Sequence, residues 1–207
     1  NHTFKSILDR SFNLQTQSQL SVKSIIFVSS NRDKYREVKS LLSVFDTDVQ
    51  FVEKNLIELQ ADSMEVIALN KSHHAFLEIS EPLIVEDDGL FIEELNGFPG
   101  QYSSFVFKTI GNMGIIKLLS NTNYRCAQFR SVFAFNDGKN SLTFSGETRG
   151  TIARKVTKGG WGYDPIFIPE NSKMTYGVLD TKGRKESWSH RATALRKFGE
   201  WFRHNSS

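Results

Sequence analysis

Ile25-Ile26-Phe27-Val28-Ser29-Ser30-Asn31-Arg32-Asp33-Lys34 is the stretch on which the fold turns. Four consecutive apolar residues read as a buried strand. Ser29-Ser30-Asn31 then breaks the run and offers helix caps. From Arg32 to Phe45, Tyr35, Val38, Leu41, Leu42 and Phe45 recur at helical spacing. The opening unit is therefore strand, short polar loop, helix. A second short strand follows at Val49 to Val52. Asp62-Ser63-Met64-Glu65 has capping-box spacing with Asp62 at the N-cap, and predicts a helix running to about Ile79. Pro82 ends that unit and Leu83-Ile84-Val85 is the next strand; Ile115 to Leu119 reads as helical. Ala127, Phe129, Ser131, Phe133 and Phe135 then alternate as in a half-buried strand. Asp137-Gly138 predicts a hairpin turn into a strand from Leu142 to Ser145. Ile166-Phe167-Ile168 is a further strand, and Leu195, Phe198 and Phe202 form the apolar stripe of a closing helix. The order β-α-β-α-β-α-β-β-β-α contains a late hairpin, which a purely parallel sheet does not. The expected class is α/β, with a mixed sheet flanked by helices.

Composition narrows the function classes. A chain of 207 residues, 39% hydrophobic and 24% charged, has the balance of a soluble globular protein able to bury a core. The expected division is an N-terminal extension over 1–22, of no assignable role, and one domain over 23–207. A net charge of +3 permits an anionic ligand but is too small for a surface that coats nucleic acid. No apolar run approaches the roughly 20 residues of a membrane span. The first 22 residues lack the apolar core of a secretory signal. The single cysteine, Cys126, excludes an internal disulfide, fits a reducing compartment and is expected as a buried structural thiol. The expected location is the cytoplasm, with no membrane and no nucleic-acid partner.

Several segments carry polar groups suited to chemistry. Glu86-Asp87-Asp88-Gly89 follows the apolar Leu83-Ile84-Val85, so a strand is expected to deliver three carboxylates to a glycine-loosened turn. Crowded carboxylates repel one another and lose hydration, and a hard divalent cation relieves both effects. The same residues also read as a solvated acidic turn. Ser29, Ser30 and Asn31, with Lys34 in the first helical turn, form a helix start suited to phosphate, or simply a capped helix with a surface lysine. Glu58, polar within Leu56-Ile57-Glu58-Leu59, is either a metal carboxylate that meets Asp87 or a strand-edge glutamate facing water. Asn96 to Ser104 is a Gly/Pro-rich loop that lets backbone approach a ligand, or only a turn. Gly159-Gly160-Trp161-Gly162-Tyr163-Asp164 pairs aromatic rings with glycines and one carboxylate. That composition can stack on a nucleobase, or merely line a turn. Lys185 and Ser189-His190-Arg191 place cations at the start of the last helix, with Ser189 as its cap.

In conjunction these segments are more specific. Ser-Ser-Asn-x-x-Lys-x-x-Glu from Ser29, Glu-Asp-x-Gly-Leu from Glu86 and Gly-x-Pro-Gly-x-Tyr-Ser from Gly97 occur in order. Gly-Tyr-Asp-Pro-Ile-Phe from Gly162 and Ser-His-Arg from Ser189 complete the series. The series resembles the inosine/xanthosine triphosphate pyrophosphatases over about Ser24 to Phe202, in wording closer to the archaeal branch. The resemblance implies that family's strongly twisted mixed sheet. It implies Mg²⁺-dependent hydrolysis of ITP, dITP and XTP to the monophosphate and pyrophosphate, and a homodimer by family analogy. It implies Ser29 to Lys34 on the triphosphate, with Asn31 and Lys34 on the phosphates, and Lys71 as a further phosphate contact. Glu58 and Asp87 would hold the metal, with Asp87 also the general base. Trp161 stands where the family has a Phe on the base, beside Gly162 and Tyr163. Asp164, Lys185, His190 and Arg191 match the base-recognition set.

Two positions depart from the family. Asp88 replaces the usual Ser or Thr after the catalytic aspartate, adding an anion that would repel the triphosphate or recruit another cation. Lys185-Glu186 replaces the usual Lys-Asn. Two alternatives stay open: a related septum-inhibitor-type nucleotide pyrophosphatase, and a nucleotide-binding protein whose catalysis Asp88 has weakened. The Gly-Tyr-Asp-Pro and Ser-His-Arg segments argue against the first.

Overall fold

The computed structural model describes residues 23–57 and 59–205. The expected extension over 1–22 therefore lies outside the described residues, as does Glu58. The strands are β1 (Lys23–Ser29), β2 (Thr47–Glu53), β3 (Leu83–Ile92), β4 (Pro99–Gly100), β5 (Cys126–Asn136), β6 (Ser141–Ile152) and β7 (Phe167–Pro169). The helices are α1 (Arg32–Ser43), α2 (Met64–Ile79), α3 (Ser103–Thr109), α4 (Gly111–Leu118), α5 (Tyr176–Thr181) and α6 (His190–Asn205). One sheet runs β2-β1-β3-β5-β6-β7, with β4 added beside β3. β1 is parallel to β2 and β3; the pairings β3–β5, β5–β6 and β6–β7 are antiparallel. The mixed sheet expected from the hairpin is present.

Strand alternation sorts the core onto two faces. Ile25, Phe27, Ile84, Phe133 and Phe135 pack on one face with Val38 and Leu42 of α1 and Leu195, Phe198 and Phe202 of α6. Ile26, Val28, Leu83, Val85 and Val132 pack on the other face with Met64, Ala68 and Ala75 of α2. A third cluster, including Leu90, Val106, Ile115, Phe129, Tyr163 and Tyr176, covers the far end of β3 and β5 with α3, α4 and α5.

Local details correct several expectations. The N-cap of α2 is Ser63, whose Oγ accepts from the Val66 amide, and not Asp62. The Gly/Pro-rich loop after Asn96 gives way to α3 at Ser103, and α5 was not expected; both are too short for periodicity to reveal. The hairpin strand runs to Ile152 rather than Ser145. Asp137 Oδ1 holds its turn by accepting from the Lys139 and Asn140 amides. Cys126 is half-buried rather than buried, at the start of β5.

The main correction concerns the three carboxylates. They sit inside β3 and not in a turn after it: the strand continues unbroken to Ile92, paired to β5 from Leu83↔Asn136 to Ile92↔Ala127. Gly89 is there for closeness and not for flexibility. A Cβ on it would lie 2.4 Å from the Gly100 carbonyl oxygen of β4.

Candidate active site

β1 stays beside β2 along its whole length but meets β3 only at Ile26↔Leu83 and Phe27↔Ile84. Beyond Ile84 the two strands part. The divergence opens a cleft of about 960 Å³ at the carboxyl end of β1, a place where open α/β sheets bind ligands. Val28, Ser29, Ser30, Asn31 and Lys34 form one wall; Glu86, Asp87 and Asp88 form the opposite one. Lys71, Trp161, Gly162, Tyr163, Asp164, His190 and Arg191 also line it.

Alternation along β3 splits the carboxylates between the two faces. Glu86 and Asp88 point with Ile84 toward α1 and α6. Asp87 points with Val85 toward α2, where Lys71 Nζ stands 3.5 Å from its Oδ1 and donates to the Glu86 carbonyl at 2.9 Å. The expectation of three clustered carboxylates around one ion is therefore corrected to one carboxylate on the α2 side and two on the other.

On the α1/α6 side, Arg191 is the centre of an ion-pair lattice, its side chain only 1% exposed. Its Nε donates to Glu86 Oε1 at 2.9 Å, its Nη2 to Asp88 Oδ2 at 3.0 Å, and its Nη1 to Glu37. Glu86 also accepts from Ser131 Oγ at 2.6 Å. Lys34 pairs with Asp88 and lies 3.6 Å from Glu86 Oε2. Burial opposes the charges of Arg191, Lys34 and Asp88, and the opposite charges around each outweigh it. The pKa values of the two cations consequently rise and that of Asp88 falls.

Lys185 Nζ lies 2.6 Å from Glu37 Oε1 and 2.7 Å from Asp164 Oδ2, and 5.2 Å from the centre of the Trp161 ring. The Trp161 indole N–H donates to Glu37 at 2.8 Å. Burial pushes Glu37 up, but Arg191 and Lys185 hold its carboxyl down at about 2. At Asp164 the balance reverses, and burial leaves its carboxyl above the usual range despite Lys185.

His190 stacks on Phe129 with ring centres 4.6 Å apart and planes 6° from parallel. It is buried and its pKa falls to about 3, through burial first and Arg191 second. The ring is therefore neutral, with one N–H donor and one acceptor nitrogen. Neither nitrogen has a hydrogen-bond partner among the described residues. Ser189 caps α6 as expected, its Oγ accepting from the Arg191 amide at 3.1 Å.

The helix start at Asn31 is more occupied than a phosphate loop needs. Asn31 Oδ1 accepts from the Asp33 and Lys34 amides, and the Asn31 amide donates to Ser29 Oγ. The Ser29 and Ser30 hydroxyls also line this wall, while the Lys34 ammonium is engaged by Asp88. Sequence reasoning missed Glu37 as a site residue and offered Glu86 only as one of three carboxylates for a cation, not as the partner of Arg191. Glu37 was legible only as the last position of the Ser-Ser-Asn-x-x-Lys-x-x-Glu pattern, because one α-turn beyond Lys34 puts both on the same helix face.

The sequence profile of the Ham1 family matches residues 25–201. The chain belongs to the Ham1 family. It is 46% identical over 177 residues to the dITP/XTP pyrophosphatase of Korarchaeum cryptofilum, covering 86% of this chain and 95% of the relative. The Methanopyrus kandleri protein described by the same words is 45% identical, over 87% of this chain and 97% of its own. Among solved structures, a HAM1 protein from Coxiella burnetii superposes with a TM-score of 0.75 at 28% identity, covering 88% of this chain and 99% of that one. The Staphylococcus aureus Ham1 protein gives 0.74 at 27%, over 87% and 100%. The family resemblance read from the motifs is borne out, and the two dITP/XTP pyrophosphatase relatives are archaeal, as the wording of the motifs led one to expect.

Proposed function

We propose that this Ham1-family chain is a dITP/XTP pyrophosphatase, cleaving non-standard purine nucleoside triphosphates between the α- and β-phosphates. The observation that carries the reading is one cleft with two unlike ends. At one end Asp87 with Lys71, on the α2 side, and Lys34, on the α1 side, all line the mouth of β1 and β3. At the other, Trp161, Asp164, Lys185 and Arg191 set an indole ring and fixed charges about the neutral imidazole of His190. The first suits a polyphosphate and the second a polar purine edge.

In this reading Asp87 takes the proton of the attacking water, which adds at the α-phosphorus as the bond to the β-phosphate breaks. Lys71 steadies the Asp87 carboxylate, and Lys34 receives charge on the departing pyrophosphate. Arg191 has five N–H donors, three of which are engaged by carboxylates. The remaining two, with the neutral His190, can address a 6-oxo purine. Adenine presents a 6-amino donor there and leaves them unpaired, which disfavours ATP.

Mg²⁺ is the metal in this reading, with the Asp87 carboxylate on the cleft wall as one ligand and Glu58, which lies outside the described residues, as the second on the family resemblance alone. Among the described residues no group of three metal-binding side chains exists, and Mg²⁺ commonly takes one or two carboxylates and completes its shell with substrate phosphate and water. When bound, the ion would neutralise phosphate charge and make the attacking water more acidic.

The same reading assigns residues 23–207 to one catalytic domain, working in the cytoplasm as a homodimer. Tyr102, Phe105, Ile110 and Met113, in and beside α3 and α4, are exposed apolar side chains that self-association would cover. No helix among the described residues is long and apolar enough to cross a membrane. The test is pyrophosphate release from ITP, dITP, XTP, ATP and GTP, with Mg²⁺ and with chelator. Release from the first three at rates well above ATP and GTP, abolished by chelator, is expected. Equal rates on all five substrates, or none, would overturn the reading.

A further inference from the structure

We propose that the Asp88 carboxylate, braced by Arg191, is a built-in anion occupying the phosphate seat at Lys34 while the cleft is empty, and that substrate phosphate displaces it from Lys34. The inference rests on the proposed reading of Lys34 as a phosphate-side cation. Asp88 divides its two oxygens between two cations: Oδ1 to the Lys34 ammonium and Oδ2 to Arg191 Nη2. Those cations already share a second carboxylate, Glu86, which bonds Arg191 Nε and lies 3.6 Å from Lys34. With Glu37 also on Arg191, three carboxylates surround these two cations, and nothing is left over to attract an incoming phosphate.

The two carboxylates differ in freedom. Glu86 is fully buried, fixed by Arg191 and Ser131. Asp88 is 18% exposed on the cleft wall, next to Gly89, and can rotate away about its own side-chain torsions. Asp88 does not extend a metal site around Asp87 either. The two are consecutive in a continuous strand and point to opposite faces, Asp87 to Lys71 and Asp88 to Lys34. The geometry therefore favours competition with phosphate over recruitment of another cation.

Displacement would make binding an exchange of one anion for another. A ligand anion would have to replace a carboxylate already seated in a charge-assisted pair. Removing that carboxylate should expose the Lys34 charge to the ligand.

The experiment measures calorimetric binding of pyrophosphate, in chelator, to the wild-type protein and to Asp88→Asn and Asp88→Ser. Asp88→Asn keeps the shape without the charge, and Asp88→Ser removes the bulk as well. The expected result is pyrophosphate affinity about tenfold or more higher in both variants, with a steeper decline of affinity as salt is added. Unchanged or weaker binding in folded variants would overturn the proposal. So would loss of folding in both, since Asp88 would then be a brace rather than a displaceable group. Pyrophosphate release from dITP by the wild type is read separately. Its absence would remove the pyrophosphatase reading, while the affinity contrast would still decide whether Asp88 fills an anion seat.

Discussion

Replacing Arg191 with Met removes the one side chain that joins Glu37, Glu86 and Asp88. The guanidinium is 1% exposed and Glu86 not exposed at all, so water cannot take its place. Glu86 would keep Ser131 Oγ and the distant Lys34, and its Oε2 already lacks a hydrogen-bond partner. Leaving one member of a buried ion pair behind costs about 3–5 kcal/mol. Glu37 gives an independent measure: a carboxyl held at about 2 instead of 4.5 corresponds to about 3 kcal/mol, shared between Arg191 and Lys185. The sign with pH follows. A depressed carboxyl contributes stability that is present above its unfolded value and lost as pH falls through its folded value. The deficit of Arg191→Met should thus be full at pH 7, begin to narrow near pH 4.5 and shrink steadily toward pH 2. Urea unfolding from pH 7 down to pH 3 reads it. Glu86→Gln supplies a sign test: destabilising in the wild type, stabilising in the Arg191→Met background, because there it removes an unpaired buried charge. A loss below about 1 kcal/mol at pH 7, or a destabilising Glu86→Gln in both backgrounds, would refute the account of Arg191 as the keystone of this lattice.

Three further outcomes are expected. Asp87→Asn should lower turnover of dITP by at least 10²–10⁴-fold in a protein that still folds; activity within a few-fold of wild type at saturating Mg²⁺ contradicts its role as base. Gly89→Ala should destabilise the protein by about 1–3 kcal/mol, because its Cβ meets the Gly100 carbonyl at 2.4 Å, and a neutral effect in urea unfolding would mean that β4 yields freely. His190 should stay neutral down to about pH 4 by ¹⁵N chemical shift. Its lowered pKa means the unfolded chain takes up a proton first, so stability should fall as pH drops from 6.5 toward 3, and His190→Phe should flatten that limb. A titration midpoint near 6.5 in the folded protein would rule this out.

Strand and helix identity was legible where a period was long enough to repeat. Ile25 to Phe45 announced β1 and α1, the Phe129–Phe133–Phe135 alternation announced β5, and Asp137-Gly138 announced the hairpin that makes the sheet mixed. The glycine and proline signals were harder. Gly89 read as loosening a turn, whereas it clears space for another strand's carbonyl, and a sequence shows a missing side chain without showing what fills its place. Short α3 and α5 complete too few turns to leave a pattern.

The chemistry divides in the same way. Residue types and their order sufficed to name the groups at both ends of the cleft, because Lys34, Asp87, Asp164, His190 and Arg191 each sit within a local motif. Which carboxylate meets which cation was decided only by the tertiary structure. Two neighbours in a strand share almost everything in sequence, yet the pleat sends Asp87 to Lys71 on α2 and Asp88 to Lys34 and Arg191 on α1 and α6. Glu37, Glu86 and Arg191, separated by up to 154 positions, acquire their meaning only when β3, α1 and α6 pack together. Ion pairing acts over a few ångströms, and distance along the chain says nothing of it until the chain has folded.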